Sequence, residues 1–209
     1  MTGLEQGAGP GLGRFITIEG IDGSGKSTQA DILCRRLSGF AEARREFEPK
    51  VLRDALLHRA GPPMSSRSEL LLFLADRSIH VDEDITPALE SGRWVVCERY
   101  SDSTLAYQSW GRGIPRGEVE MLLSWCCFPV PDATILLDIG VEAAMRRVAL
   151  RGKPDRLEAD LDMMRRVAEG YAALAHSFPD RIAKVNADAP VEAVADDVLH
   201  AVRRLLCPS

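Results

Sequence analysis

The sequence predicts an α/β fold of three layers, with a parallel sheet of about five strands between two layers of helices. Short apolar runs alternate along the chain with amphipathic stretches of helical length. Two runs, residues 94–97 and 133–137, are continuously apolar, which is the pattern of strands buried inside a parallel sheet. A third, residues 15–18, leads through a glycine-rich loop into a helix. This alternation is typical of sheets covered by helices on both faces.

The other elements follow from helical periodicity and from capping and stop signals. Ser66-Arg67-Ser68-Glu69 forms a capping box, Pro87 kinks or restarts the helix that it opens, and Gly92 ends that helix. A strand is predicted at 182–185, whereas residues 40–48, FAEARREFE, lack the pattern of a buried strand. The predicted helices cover residues 26–38, 50–58, 66–92, 101–108, 118–125, 141–150, 161–177 and 191–206.

Composition restricts the class of protein. The chain has 209 residues, 45% of them hydrophobic, which predicts one domain over residues 14–209 behind a disordered leader at 1–13. A net charge of −5 argues against nucleic acid as a partner. The five cysteines include the adjacent Cys126 and Cys127 and show no metal-ligand spacing, which predicts a reducing, cytoplasmic location. No apolar run is long enough to cross a membrane, so no membrane partner is expected.

Residues 20–27 read GIDGSGKS and match the phosphate-binding motif G-x-x-x-x-G-K-[ST] at every fixed position. Backbone N–H groups of such a loop line an anion site, and the N-terminus of the following helix adds positive potential. Lys26 is expected to reach the β- and γ-phosphates, and Ser27 to hold Mg²⁺. The alternative is a glycine-rich turn that matches by chance, but the flanking strand and helix are those that the motif requires. A nucleoside triphosphate with Mg²⁺ is therefore the predicted ligand.

Glu98-Arg99-Tyr100 directly follows the strand at 94–97. These residues therefore lie at the carboxyl end of a strand, which is the edge where doubly wound sheets bind ligands. Glu98 is expected to hold the water shell of the metal, and Arg99 to clamp a phosphate. The alternative is a structural ion pair.

Four segments resemble the signature motifs of thymidylate kinases: ERYSDSTLAYQ at 98–108 followed by GRG at 111–113, LLLFLADR at 70–77, VNA at 185–187 and DRLE at 155–158. The resemblance covers about residues 15–206. It implies the P-loop kinase fold and the reaction of ATP with dTMP to give ADP and dTDP with Mg²⁺. It also implies a homodimer, formed through the apolar side of the helix at 70–85.

The resemblance also implies a binding site for dTMP. Phe73 is expected to stack on thymine, Arg77 and Thr104 to bind the polar edge of the base, and Gln108 to lie near it. Tyr107 is expected to crowd the ribose 2′ position and so favour deoxyribose. The alternative for each of these residues is ordinary helix packing. The full substrate set is Asp22, Arg45, Phe73, Arg77, Arg99, Ser103, Thr104, Tyr107 and Gln108.

On the donor side, the phosphate-binding motif at 20–27 carries no arginine. In this respect the chain resembles the bacterial subtype of the family, in which a lid supplies the positive charge; here the lid would be about residues 147–158. A solvated basic turn is the alternative. The expected catalytic residues are Lys26, Glu98, Arg99 and Arg151, and the expected metal-binding residues are Ser27 and Glu98. The expected ATP-binding residues are Gly20, Ile21, Asp22, Gly23, Ser24, Gly25, Lys26, Ser27, Thr28, Arg147, Lys153, Arg156 and Asn186.

Two departures from the family pattern keep rival hypotheses open. Residues 44–49, RREFEP, stand where family members usually carry an Arg-Glu-Pro-Gly-Gly-Thr loop, and Glu98 stands where aspartate is commoner. Glu98 followed by Arg99 also resembles deoxynucleoside kinases, for which Glu46 or Glu48 would be the base that acts on a 5′-hydroxyl. A nucleotide-binding pseudokinase that has lost the acceptor loop is the second rival.

Overall fold

The computed structural model describes residues 13–37, 43–46, 64–152 and 160–207, and of residues 43–46 and 151 it describes the backbone only. The predicted helix at 50–58 and most of the predicted leader lie outside these residues. Gly13 donates its backbone N–H to the carbonyl of Leu89 at 2.9 Å.

Five parallel strands form the sheet. The central strand β1, Phe15–Glu19, lies between β3, Trp94–Glu98, and β4, Ala133–Asp138. The outer strands are β2, Ala43–Glu46, beside β3, and β5, Ile182–Asn186, beside β4. The resulting order is β2-β3-β1-β4-β5. The predicted parallel sheet is confirmed.

Helices cover the sheet. In the described part of the chain they are α1 Lys26–Leu37, α2 Ser66–His80, α3 Thr86–Glu90, α4 Ser101–Thr104, α5 Arg116–Trp125, α6 Val141–Arg151, α7 Leu161–Ser177 and α8 Val191–Leu206. Two π-helical segments, Val81–Ile85 and Leu105–Gly111, continue α2 into α3 and extend α4. α1 and α8 pack against each other and against the strands, and α7 packs against the segment that follows α4. None of the helices in the described part of the chain has the length and apolarity needed to cross a membrane.

The side chains of β1 alternate between two hydrophobic clusters, as the twofold period of a strand requires. Ile16 and Ile18 join the larger cluster, whereas Phe15 joins a smaller one that includes Tyr100. Glu19 follows Phe15 at strand spacing and therefore points to the same face as Phe15. This places a fully buried carboxylate beneath the loop that carries Arg99.

Residues 43–46 differ from the sequence-based expectation, because they form strand β2 although they read ARRE. Arg44 and Arg45 lie opposite Val95 and Val96 of β3. The ladder of a strand is made by backbone groups, so an edge position tolerates polar residues that an apolar pattern does not reveal. The pattern of these residues, which is not that of a buried strand, did not reveal this edge strand.

The cap of α2 also differs from the prediction. Ser65, not Ser66, is the N-cap, and its hydroxyl accepts the backbone N–H of Ser68 at 3.1 Å. Pro87 lies in the first turn of α3, directly after the π-helical turn Val81–Ile85. The chain therefore passes from α2 to α3 through a π-helical turn.

Candidate active site

The phosphate-binding loop joins β1 to α1 at the carboxyl edge of the sheet. Gly23 has φ +84°, and a Cβ on this residue would lie 2.2 Å from the carbonyl oxygen of Ala144. Only glycine fits such a left-handed position against a neighbouring backbone. The loop and the first turn of α1 line the adjacent cavity, which is where an anion site is expected.

Lys26 begins α1 and is buried, and its ammonium donates to the carbonyl of Ile21 at 2.9 Å. Burial, followed by the positive charge of Arg99, lowers the pKa of Lys26 to about 8. Nearby carboxylates, with Asp22 foremost, oppose this shift. The lysine thus sits in a pocket that favours an additional negative charge, such as a phosphate.

A cavity of about 420 Å³ opens beside the loop. One end is polar and includes Glu98, and the opposite end is lined by α8 and the turn before it. Among the predicted ATP-binding residues, those at 22–28 and Arg147 line the cavity. The apolar end is formed by Ala187, Ala189, Val191 and Val194. This arrangement suits a ligand with a charged tail and a flat, apolar head.

Two of the predicted donor-side residues outside the phosphate loop, Arg147 and Asn186, have described positions. Arg147 on α6 donates to the carbonyl of Ala187 at 3.1 Å and to the carboxylate of Asp188 at 3.3 Å, so it reaches across the apolar end of the cavity. Asn186 accepts the N–H of Asp188 and does not line the cavity. The side chain of Arg151 and residues Lys153 and Arg156 lie outside what the structure describes.

The predicted metal residues lie together. The hydroxyl of Ser27 donates to a carboxylate oxygen of Glu98 at 3.0 Å, at the polar end of the cavity. Mg²⁺ prefers hard oxygen ligands and is commonly held by one or two protein groups together with phosphates and water. These two side chains therefore fit a magnesium ion that a nucleotide brings with it.

Arg99 lies between the loop and α4, and it is 7% exposed. Its Nη2 group donates to Asp22 and, at 3.2 Å, to the hydroxyl of Tyr107. The Nη1 group donates to the carbonyl of Gly20 and to the hydroxyl of Ser103, both at 3.4 Å. The guanidinium is thus the point at which the phosphate loop meets the segment that begins at residue 98.

Asp22 accepts hydrogen bonds from both Arg99 and the hydroxyl of Tyr107, the latter at 2.8 Å. Burial alone would raise the pKa of Asp22, but the charges of Arg99 and Lys26 outweigh burial and hold it well below its ordinary value. Burial also raises the pKa of Tyr107. Asp22 is therefore a carboxylate, and Tyr107 a neutral hydrogen-bond donor, throughout the physiological range.

Of the remaining predicted acceptor residues, Arg77 on α2 and Thr104 on α4 are in contact. Arg77 donates to the hydroxyl of Thr104 at 3.3 Å and to the carbonyl of Arg99 at 3.5 Å, and its guanidinium lies 5.2 Å from the ring centre of Tyr100. Phe73 lies one helical turn before Arg77 and is half-buried, and Gln108 is buried. Arg45 lies in β2, where only its backbone is described.

Sequence reasoning missed two buried residues beneath this site, Glu19 and Tyr171. The carboxylate of Glu19 accepts from Tyr171 at 3.0 Å, from the hydroxyl of Ser103 at 2.6 Å and from the N–H of Tyr100 at 2.7 Å. The signal for Glu19 was a carboxylate that closes an otherwise apolar strand. Tyr171 gave no signal, because only the tertiary fold brings it to Glu19.

Fold and site together define a nucleotide-binding protein of the P-loop class with a second polar site beside the phosphate loop. A family model described as thymidylate kinase matches residues 18–198. A thymidylate kinase of Alkalilimnicola ehrlichii is 45% identical over 192 residues, which cover 87% of this chain and 88% of that protein. One of Solidesulfovibrio magneticus is 42% identical over 92% of this chain and 100% of the relative. The chain belongs to the thymidylate kinase family.

A solved structure supports the same family. The crystal structure of thymidylate kinase from Ehrlichia chaffeensis superposes with a TM-score of 0.77 at 29% identity. The match covers 92% of this chain and 100% of that one. The resemblance inferred from the signature segments is thereby confirmed, as is the P-loop kinase fold.

Proposed function

We propose that this protein transfers the γ-phosphoryl group of ATP to dTMP, giving ADP and dTDP. The observation that carries this proposal is the position of Arg99, which contacts the phosphate loop at Gly20 and Asp22 and the signature segment at Ser103 and Tyr107. An enzyme that joins two phosphorylated ligands needs a cation at the boundary between their sites. Membership of the thymidylate kinase family identifies the two ligands.

The donor site is the cavity beside the phosphate loop. Its polar end, with Lys26 and the N-terminus of α1, receives the phosphates, and its apolar end receives the adenine. Arg147 spans that apolar end through its bond to the carbonyl of Ala187 and lies over the base. Asn186 acts indirectly, by holding the turn that carries Ala187 and Asp188.

Ser27 and Glu98 would hold Mg²⁺. Their side-chain oxygens lie 3.0 Å apart at the phosphate end of the cavity. The ion, when bound, would neutralise charge on the phosphates of ATP. Glutamate at this position extends the carboxylate by about one C–C bond beyond the commoner aspartate, so Glu98 would act on the ion through its water shell.

The acceptor site lies between α2 and α4. Phe73 stacks on thymine, and Arg77 and Thr104, already bonded to each other at 3.3 Å, bind the carbonyl edge of the base together with Gln108. Tyr107 lies where a ribose 2′-hydroxyl would enter, and Asp22 fixes its phenol at 2.8 Å. Arg99, helped by Ser103 and by Arg45 from β2, holds the phosphate.

Transfer needs no general base, because the acceptor oxygen of dTMP is already an anion. The bond between the γ-phosphorus and the bridging oxygen of ATP breaks as the bond to the dTMP oxygen forms. Lys26 and Arg99 stabilise the transferred group, and a lid at about 147–158 completes its surroundings with Arg151, Lys153 and Arg156. This lid belongs to a single domain spanning residues 14–209.

The protein is also proposed to be a cytoplasmic homodimer. The structure describes all five cysteines and shows no disulfide among them, which fits a reducing compartment. Large apolar side chains are exposed on two neighbouring helices, Leu71 and Ile79 on α2 and Met121 and Trp125 on α5. An ion pair between Arg67 and Glu118 joins these helices. A symmetric dimer would cover such a surface.

One assay tests the proposed reaction against its rivals. ADP release is measured with dTMP, dUMP, dCMP and thymidine as acceptors, and dTMP is expected to give the highest kcat/KM. Turnover of thymidine without turnover of dTMP would instead identify a deoxynucleoside kinase. Thermal stabilisation by ATP, with no ADP formed in the presence of any of these acceptors, would identify a pseudokinase. Neither rival gains support from the relatives, which are named thymidylate kinases at 36–45% identity.

A further inference from the structure

The backbone of Arg99 has an unusual conformation, with φ +62°. Residues with a side chain rarely adopt the left-handed region, and they do so where the surroundings enforce it, frequently at functional sites. This turn directs the guanidinium back over the phosphate loop, to Gly20 and Asp22. Whatever enforces the turn therefore determines where the cation lies.

Hydrogen bonds hold the backbone on both sides of this turn. The N–H of Arg99 donates to the carbonyl of Ile18 at 3.1 Å, and the next N–H, that of Tyr100, donates to the carboxylate of Glu19 at 2.7 Å. The thiol of Cys97 donates to the carbonyl of Arg99 at 3.3 Å. The guanidinium of Arg77 also donates to the carbonyl of Arg99, at 3.5 Å. Among these partners, Glu19 contributes the only carboxylate.

Glu19 is fully buried, and each of its carboxylate oxygens accepts two hydrogen bonds. One oxygen accepts the backbone N–H groups of Tyr100 and Ser103, and the other accepts the hydroxyls of Ser103 and Tyr171. Burial and then the Asp102 carboxylate raise the pKa of Glu19, while the hydrogen bonds and Arg99 oppose that rise. A carboxylate kept in so unfavourable an environment needs these four donors.

The guanidinium of Arg99 consequently has two different edges. Its Nη1 edge is anchored to the carbonyl of Gly20 and to the Ser103 hydroxyl, which Glu19 orients. Its Nη2 edge faces Asp22 and the hydroxyl of Tyr107, which are residues of the proposed acceptor site. Anchoring one edge leaves the other in a fixed direction for binding an anion.

We propose that Glu19 and Tyr171 are positioning residues that aim Arg99 at the phosphate of the acceptor. Glu19 fixes the backbone turn and, through Ser103, the anchored edge of the guanidinium, and Tyr171 completes the hydrogen bonds of Glu19. Neither residue touches a substrate. The inference rests on the proposed function, because the acceptor phosphate is the anion at which Arg99 is aimed.

The first test is Tyr171→Phe, which removes one hydroxyl and retains the ring that packs edge-on against Tyr107. Loss of a hydrogen bond to a buried carboxylate corresponds to about a tenfold effect. The KM for dTMP is therefore expected to rise about tenfold, whereas the KM for ATP stays within twofold of the wild-type value. Ser109→Ala is the matched control, because it removes a buried hydroxyl that has no hydrogen-bond partner among the described residues.

Glu19→Gln is the second variant and keeps the size of the side chain. Its amide retains one acceptor oxygen, so the KM for dTMP is expected to rise at least fivefold more than the KM for ATP. A merely structural role predicts instead that both KM values change together, in step with a fall in Tm.

The two proposals fail in different ways. A wild-type protein without dTMP-dependent ADP release would refute the proposed function. If the wild type is active, two results would refute the positioning role alone. In the first, Tyr171→Phe and Glu19→Gln both keep the KM for dTMP within twofold of the wild-type value. In the second, the KM for dTMP and the KM for ATP rise equally in these variants.

Discussion

Replacing Arg99 with lysine tests whether the geometry of this residue, beyond its charge, matters for the acceptor. The guanidinium presents two nitrogens to four oxygen groups, with Gly20 and Ser103 on one side and Asp22 and Tyr107 on the other. An ammonium group keeps the positive charge near Asp22, but it is a single point and cannot serve both edges. Folding is therefore expected to survive the change, whereas two-pronged phosphate binding is lost.

The size of this effect follows from the hydrogen bonds involved. Two charge-assisted hydrogen bonds at about 1.5 kcal/mol each correspond to roughly a 100-fold loss in kcat/KM for dTMP. The KM for ATP is expected to change less than threefold, because Lys26 and the backbone of the phosphate loop are untouched. Steady-state kinetics with each substrate varied in turn measure both values.

Arg165→Lys is the matched control, because Arg165 forms surface ion pairs with Glu142 and Asp162 at about 3 Å and faces solvent. Its kinetics should equal those of the wild type. If Arg99→Lys kept kcat/KM for dTMP within threefold, the assignment of Arg99 as a bidentate clamp would be wrong.

Three further perturbations have defined outcomes. Gly23→Ala should abolish ATP-dependent thermal stabilisation, because φ is +84° and the new Cβ would lie 2.2 Å from the carbonyl oxygen of Ala144; a normal stabilisation would contradict the described loop. The kcat/KM for ATP should fall as pH rises above about 8, because the Lys26 ammonium of the free enzyme has a pKa lowered to about 8 and loses its proton there. A pH profile that stays flat to about pH 10 would exclude a role of the Lys26 charge in binding ATP. Tyr100→Phe should leave the free energy of unfolding in urea unchanged or raise it by about 1 kcal/mol, because the buried hydroxyl has no hydrogen-bond partner among the described residues; a clear loss of stability would reveal a missed partner.

The amphipathic helices at the end of the chain were predictable to the residue. The bounds of α7, Leu161–Ser177, and α8, Val191–Leu206, agree with the prediction because each carries a strong apolar stripe between clear stop signals. Strand β2 was not predictable in this way. Its pairing with β3 uses backbone groups, and its sequence ARRE resembles that of a surface loop. The π-helical segment Leu105–Gly111 also has no sequence pattern of its own.

The phosphate loop and the surroundings of Arg99 also differ in how far the sequence predicts them. The phosphate loop is contiguous, so its spacing alone identified Lys26 and Ser27. The support for Arg99 is not contiguous, since the hydrogen bond between Tyr171 and Glu19 joins residues separated by 152 positions. A single sequence identifies the residues that meet the ligand within one motif. It does not reveal a buried partner supplied by a distant helix.

The most direct measurement of the central claim follows the phosphoryl group itself. The wild-type protein is incubated with Mg²⁺, dTMP and ATP labelled at the γ-phosphate, and the products are separated and quantified. The proposed reaction predicts that the label appears in the β-phosphate of dTDP, with one ADP formed for each dTDP. Label that stays in ATP would contradict it. A parallel incubation with thymidine in place of dTMP would contradict it as well if it gave labelled dTMP while the incubation with dTMP gave no labelled dTDP.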